Sequence, residues 1–227
     1  MASILMVLTS HSRLGNSGRA TGVWLEEFAT PYYVLIDAGH SVELASPRGG
    51  EIPIDPGSRE ASAQTAATRR LEADGLRTGL LSRSRALSEL DAGRFDAVFY
   101  PGGHGPMWDL AIDPVNAGLL KAFWQAGKPV AALCHGVAAL LTARSDAGDA
   151  LFSGRRLTAF TDAEERRVGL DEIVPFLLQD KLVLAGAIFE EAPPFSPHTV
   201  VDGQLVTGQN PASAQGTAQA LVELLKQ

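Results

Sequence analysis

The sequence predicts a doubly wound α/β fold, a mostly parallel sheet with helices on both faces, and three observations carry that prediction. Apolar runs without alternation recur in ILMVL (4–8), DAVFY (96–100) and PVAAL (129–133), as strands buried on both faces of a parallel sheet require. Segments of helical period lie between them, the alternation that builds α/β domains. Near the C-terminus, HTVVDGQLVTG (198–208) places two apolar runs around Asp202-Gly203, the pattern of a small β-hairpin.

Element by element, strands are expected near 3–9, 41–46, 96–100, 129–133 and 156–160. Helices are expected near 21–38, 62–73, 114–126, 136–142 and 211–225. The opening MASILMVLTS has no basic start and no small-residue cleavage site, so it reads as the first strand and not as a signal peptide. In helix 21–38, Trp24, Phe28, Tyr32 and Leu35 form one apolar arc. SPRGGEIPIDPGS (46–58), rich in Gly and Pro, reads as a loop after the second strand. The last helix carries Ala214, Ala218, Leu221, Val222 and Leu225 as a regular stripe. Pro211 stands where a first helical turn tolerates proline, with Asn210 as its N-cap. No linker and no internal repeat interrupts the chain, so residues 1–227 read as one domain.

Composition removes several function classes. The 227 residues carry a formal charge of -7 with no block of like charges, which argues against nucleic acid and anionic membrane surfaces. No apolar run reaches the ~18 residues that a membrane span needs. A single cysteine excludes an internal disulfide and a Cys-rich zinc site. The expectation is a soluble protein of a reducing compartment, the cytoplasm.

That cysteine, Cys134, sits in KPVAALCHGVAALL (128–141) where a buried strand turns straight into a helix. Such a turn crowds the positions two residues either side, which here are Ala132 and Gly136, both small, as in a nucleophile elbow. A strand's carboxyl end is also where open α/β sheets bind ligands. The start of a helix favours a thiolate, so a lowered thiol pKa is expected. His135 follows at once. A second turn, YPGGHGPMWDL (100–110), leaves the central strand through Gly102 and Gly103, letting backbone approach a ligand closely. The amides of Gly103 and His135 are therefore candidates for an oxyanion hole.

The acids are less sharply marked. Glu26 lies nearly opposite the apolar arc of its helix, and Glu27 lies nearer the edge. Pro31 displaces the carbonyl four residues back, that of Glu27, and a partly buried carboxylate at a helix break is the one with a raised pKa. LTAFTDAEERRVGL (157–170) adds Asp162, Glu164 and Glu165 past another strand end. One of them could orient His135 as the third group of a triad; helical periodicity does not choose among them.

Together, TGVWLEE with Pro31 (21–31), ASPRGG (45–50), PGGHG (101–105), ALCHG (132–136), AFTDAEE (159–165) and TGQNPASA (207–214) resemble the ThiJ/PfpI superfamily, class I glutamine amidotransferase-like, across nearly the whole chain. The nearest branch is the glutathione-independent glyoxalase III and stress-chaperone group. The resemblance implies a flavodoxin-like fold, Cys134 as nucleophile, His135 as its base, and Glu27 as an acid sharing a proton with the thiol. It implies Glu165 or Asp162 as the third triad member, Gly103 and His135 at the oxyanion hole, and His104 in the pocket. The implied activity converts methylglyoxal and related α-oxoaldehydes to hydroxy acids through a Cys134 hemithioacetal, with no metal or organic cofactor. Repair of early protein glycation adducts would use the same site. A homodimer is implied by analogy. On this reading a small closed pocket lies near Gly102, His104 and Trp108. Two other classes compete: a PfpI-type cysteine amidase or peptidase, which needs a groove wide enough for peptide, and a non-enzymatic stress holdase with an exposed apolar patch. A redox sensor based on Cys134 oxidation is a further reading.

Overall fold

The computed structural model describes residues 1–74 and 78–226. Its strands in chain order are β1 (Ser3–Val7), β2 (Ser41–Ser46), β3 (Arg85–Ala86), β4 (Ala97–Tyr100), β5 (Val130–Leu133), β6 (Arg156–Leu157), β7 (Ile188–Phe189), β8 (Thr199–Asp202) and β9 (Leu205–Gly208). The α-helices are α1 (Leu25–Asp37), α2 (Ala66–Ala73), α3 (Pro114–Gln125), α4 (Asp162–Val168), α5 (Leu178–Leu184) and α6 (Ala214–Leu224). Seven strands form one sheet in the order β3-β2-β1-β4-β5-β9-β8, and β6 pairs with β7 in a second, two-stranded sheet. Every pairing in the large sheet is parallel except that of β8 with β9, the expected hairpin.

The apolar runs are strands because both of their faces are covered. Along β4, Val98 and Tyr100 face one core while Ala97 and Phe99 face the other. In β5, Val130 and Ala132 alternate with Ala131 and Leu133 in the same way. The first core includes Leu119, Leu120 and Phe123 of α3. The second takes Phe28, Tyr32 and Leu35 of α1 with Ala218 and Leu221 of α6. Strand order reverses between β1 and β4, and such a switch point opens a crevice at the carboxyl ends of the strands. The loops after β4 and β5 leave from that edge.

Helices α4 and α5 and the short strands β3 and β7 are absent from the sequence prediction, and several predicted elements take another form. The helix expected from residue 62 begins at Ala66, because Thr65 caps it: its hydroxyl accepts the Thr68 N–H at 3.2 Å, and the Thr68 hydroxyl accepts the Thr65 N–H at 2.8 Å. The strand expected at 156–160 pairs only over Arg156–Leu157, with β7. Beyond it the Thr158 N–H turns to the Thr207 hydroxyl, 2.9 Å away. The helix expected at 136–142 is a 3-10 helix running from Cys134 to Thr142. Helix α1 continues through Pro31 without a break.

Candidate active site

Cys134 is the first residue after β5 and adopts φ 55°, the left-handed region that a non-glycine residue enters only under constraint. The constraint is visible around it. A Cβ at Gly136 would run into the carbonyl oxygen of Tyr100, and one at Gly102 would meet Glu27 Oε2 and the Cβ of Cys134. The turn after β4 therefore packs directly on the elbow. Gly103, at φ 90°, lies so close to Gly22 and Trp24 that no side chain fits. Small residues here bring three chain segments to one point. The thiol itself is 3 % exposed.

His135 lies beside it, also buried. Its Nδ1 is 3.4 Å from Cys134 Sγ and its Nε2 is 2.6 Å from Glu165 Oε2. The other carboxyl oxygen, Oε1, is 2.8 Å from His104 Nε2, and the two imidazole rings lie 3.9 Å apart. Glu165 thus joins both histidines. Burial raises its pKa, but the electrostatic influence of His135 and then the hydrogen bonds from both imidazoles outweigh burial and hold it well below the usual carboxylate range. An ionised Glu165 accepts the Nε2–H of His135, which leaves Nδ1 unprotonated and facing the sulfur. Burial, and then the nearby His104, lower the His135 pKa, so the ring is neutral at pH 7 and able to accept a proton. Asp162 lies apart from the two histidines: its carboxylate is 3.9 Å from Arg166, and its backbone N–H donates to Gln179. Of the three acids in 162–165, only Glu165 reaches His135.

Glu27 approaches from α1. It is 1 % exposed, and neither carboxyl oxygen makes a hydrogen bond of ordinary geometry. Burial pushes its pKa up to about 8, against a smaller opposing pull from looser contacts with the Cys134 thiol and the Gly102 amide. At neutral pH it is mostly a carboxylic acid. Glu26, by contrast, is half-buried and accepts the Thr30 hydroxyl at 2.8 Å and the Thr65 hydroxyl. The thiol departs from the sequence expectation. Burial, then the neighbouring Glu27, raise its pKa well above the ordinary thiol value. The His135 N–H opposes this, but a 3-10 turn at a buried elbow does not offset the loss of water.

These groups face a cavity of about 190 Å³. Glu27, Gly103, His104, Cys134 and His135 line its reactive part; Trp24, Phe160, Val168, Phe195 and Pro211 complete a largely apolar wall. Trp108 does not line it. Its ring stacks on His11 at 5.2 Å instead, and the indole at the site is that of Trp24. Gly102 bears on the site through its backbone and its contact with Glu27. A larger open groove of about 510 Å³ lies elsewhere, beside Asp37 and Arg70, and does not include Cys134. Of the wall residues, Trp24 and Phe160 stood in the sequence only as apolar positions. Phe195, in APPFSP, and Val168 carried no signal that pointed to the cavity.

His104, His135 and Glu165 offer ligand atoms within 4.8 Å of one another, the one such trio among the described residues. The 2.6 and 2.8 Å separations are those of two imidazole N–H groups donating to one carboxylate.

The DJ-1/PfpI family model matches residues 19–224. The chain belongs to the DJ-1/PfpI family. Among its relatives, a Candida albicans protein named glyoxalase 3 is 30 % identical over 232 residues, covering 98 % of each chain. The solved structure of rapid encystment protein 24 kDa from Francisella tularensis superposes with a TM-score of 0.94 at 36 % identity over 99 % of each chain. That of glyoxalase III from C. albicans superposes with a TM-score of 0.90 at 27 % identity, covering 98 % of this chain and 97 % of the other. The sheet order around β1 and β4 and the elbow at Cys134 belong to this flavodoxin-like family fold.

Proposed function

We propose that this DJ-1/PfpI protein is a glutathione-independent glyoxalase, converting methylglyoxal and similar small α-oxoaldehydes to 2-hydroxy acids. One observation carries the reading: a buried thiol stands between a neutral base, His135 Nδ1 at 3.4 Å, and a carboxylic acid, Glu27, held protonated by burial. A reaction that must move protons among sulfur, oxygen and two adjacent carbons needs an acid and a base on one small substrate.

In the first step Sγ adds to the aldehyde carbon, the thiol proton passes to His135 Nδ1, and the carbonyl oxygen takes a proton from Glu27, giving a hemithioacetal. The amides of Gly103 and His135 stabilise the charge that develops on that oxygen. Glu27, now a carboxylate, takes the hydrogen on the former aldehyde carbon as a proton while the imidazolium of His135 protonates the adjacent carbonyl oxygen, giving an enediol. Glu27 then returns its proton to the adjacent carbon as His135 takes the proton of the hydroxyl on the sulfur-bearing carbon. The product of this shift is a thioester of the hydroxy acid on Cys134. Water hydrolyses it, releasing lactate and restoring the thiol, so that methylglyoxal and one water become lactate with no net oxidation. Glu165 keeps the His135 tautomer, as the third member of a triad does. His104, on the same carboxylate, fixes the outer side of that geometry.

The size of the cavity supports this reading over a peptidase, since about 190 Å³ suits a ligand of benzene size and not a polypeptide. Purified protein incubated with methylglyoxal and no glutathione is expected to form lactate; wild-type protein that forms none removes the glyoxalase reading.

A further inference from the structure

Among the described residues only two non-glycine positions have positive φ, Cys134 at 55° and Phe195 at 63°, and both line the same cavity. For Cys134 the elbow explains it. Phe195 is an aromatic residue in a region that bulky side chains avoid, and such angles persist where the surroundings over-determine them, often at functional sites. The Ser196 N–H donates to the Pro193 carbonyl at 3.0 Å, which puts Pro194 and Phe195 at the two central positions of a turn. Proline followed by positive φ marks a type II turn, whose second central position favours glycine. A phenylalanine there gives up backbone comfort for the placement of its ring.

That placement has its own support. The Phe195 N–H donates to Oε1 of Glu164 at 2.7 Å, and the Asn210 side-chain amide donates to the same oxygen at 2.8 Å. The other oxygen of Glu164 takes both the N–H and the hydroxyl of Thr161 at 2.9 Å. Asn210 also donates to the Ser196 carbonyl at 2.8 Å. Glu164 is fully buried and is absent from the chemistry above, yet it ties the turn of Phe195 to the start of the helix that carries Glu165. Phe195 is 44 % exposed, with its ring centroid 6.2 Å from that of Phe160, so it forms the outer wall of the cavity.

We propose that Phe195 is the size-selecting wall of the site, limiting the group attached to the reacting carbonyl, and that Glu164 is the positioning residue that holds it there. The proposal rests on the glyoxalase reading for the identity of the substrate, but the wall itself does not depend on that chemistry.

The test compares methylglyoxal with phenylglyoxal as substrates, and iodoacetamide with N-phenylmaleimide as alkylators of Cys134. Phe195→Gly, which suits the left-handed backbone, is expected to raise the relative kcat/KM for phenylglyoxal about tenfold and to favour the bulkier alkylator likewise. Phe195→Trp shifts both ratios the other way. Glu164→Gln can serve only one of its two pairs of donors with its single oxygen, so it shifts the ratios in the direction of Phe195→Gly. In the Phe195→Gly background it adds no further shift, a non-additivity that a purely structural role does not produce. Ratios unchanged by Phe195→Gly and Phe195→Trp overturn the wall, and additive shifts overturn the role of Glu164. If wild type turns over neither aldehyde, the glyoxalase reading fails while the alkylation ratios still decide the proposal.

Discussion

Replacing Glu27 with glutamine isolates the acid on which the proposed chemistry depends. In the folded protein its pKa is about 8, against 4.5 for an ordinary glutamate. Between those values the folded state keeps a proton that the unfolded chain has lost. Stability therefore falls as pH rises, by up to about 1.4 kcal/mol per pH unit, and levels off above pH 8. Over the whole window the loss is about 5 kcal/mol. The amide of the Glu27→Gln variant has no proton to lose, and His135, which titrates in the opposite sense, is present in both proteins and cancels in the difference. Urea unfolding of wild type and Glu27→Gln from pH 5 to 8 is the assay. The difference in unfolding free energy should move by about 4 kcal/mol in favour of the variant as pH rises. The amide also cannot donate and accept a proton in turn, so turnover of methylglyoxal should fall by about 10²–10⁴-fold. Parallel stability curves across this range would refute a Glu27 held protonated by burial.

Other outcomes follow from the same geometry. Glu165→Gln should lower kcat by on the order of 10²–10⁴-fold by releasing the His135 tautomer, whereas Asp162→Asn should change it by less than about threefold; steady-state kinetics separates the two acids. Iodoacetamide should modify Cys134 at a rate that climbs with pH beyond 9, since burial raises the thiol pKa, and a plateau between pH 6 and 8 would instead indicate a thiolate at rest. Gly136→Ala places a methyl against the Tyr100 carbonyl and should destabilise by about 1–3 kcal/mol, read as a lower urea midpoint.

How much of this the sequence disclosed depended on whether the signal was local. Runs such as ILMVL and PVAAL announced themselves because parallel strands covered on both faces have no polar side. Cys134 stood out through its small neighbours, since an elbow leaves a local steric trace at Ala132 and Gly136. Glu27 was separable from Glu26 by its angle to the apolar arc, although Pro31 does not break the helix. The acid that meets His135 was not separable: Asp162 and Glu165 differ in which way α4 points them, and packing decides that. Helix α4 is not among the expected helices, although Thr161 and Glu164 form a capping box at its start. Trp108 and Trp24 look equally suited to an apolar pocket, and only the tertiary fold puts one on His11 and the other at the thiol. Phe195 sits 61 positions beyond Cys134 in the sequence, and no periodicity links the two.

The central claim is that Cys134 holds the substrate covalently while acid and base move its protons. Its most direct test is lactate production from methylglyoxal, without glutathione, by wild type and by Cys134→Ala. Wild type should accumulate lactate, and the variant should be slower by about 10⁴-fold or more. Lactate formed by Cys134→Ala at the wild-type rate would contradict the account.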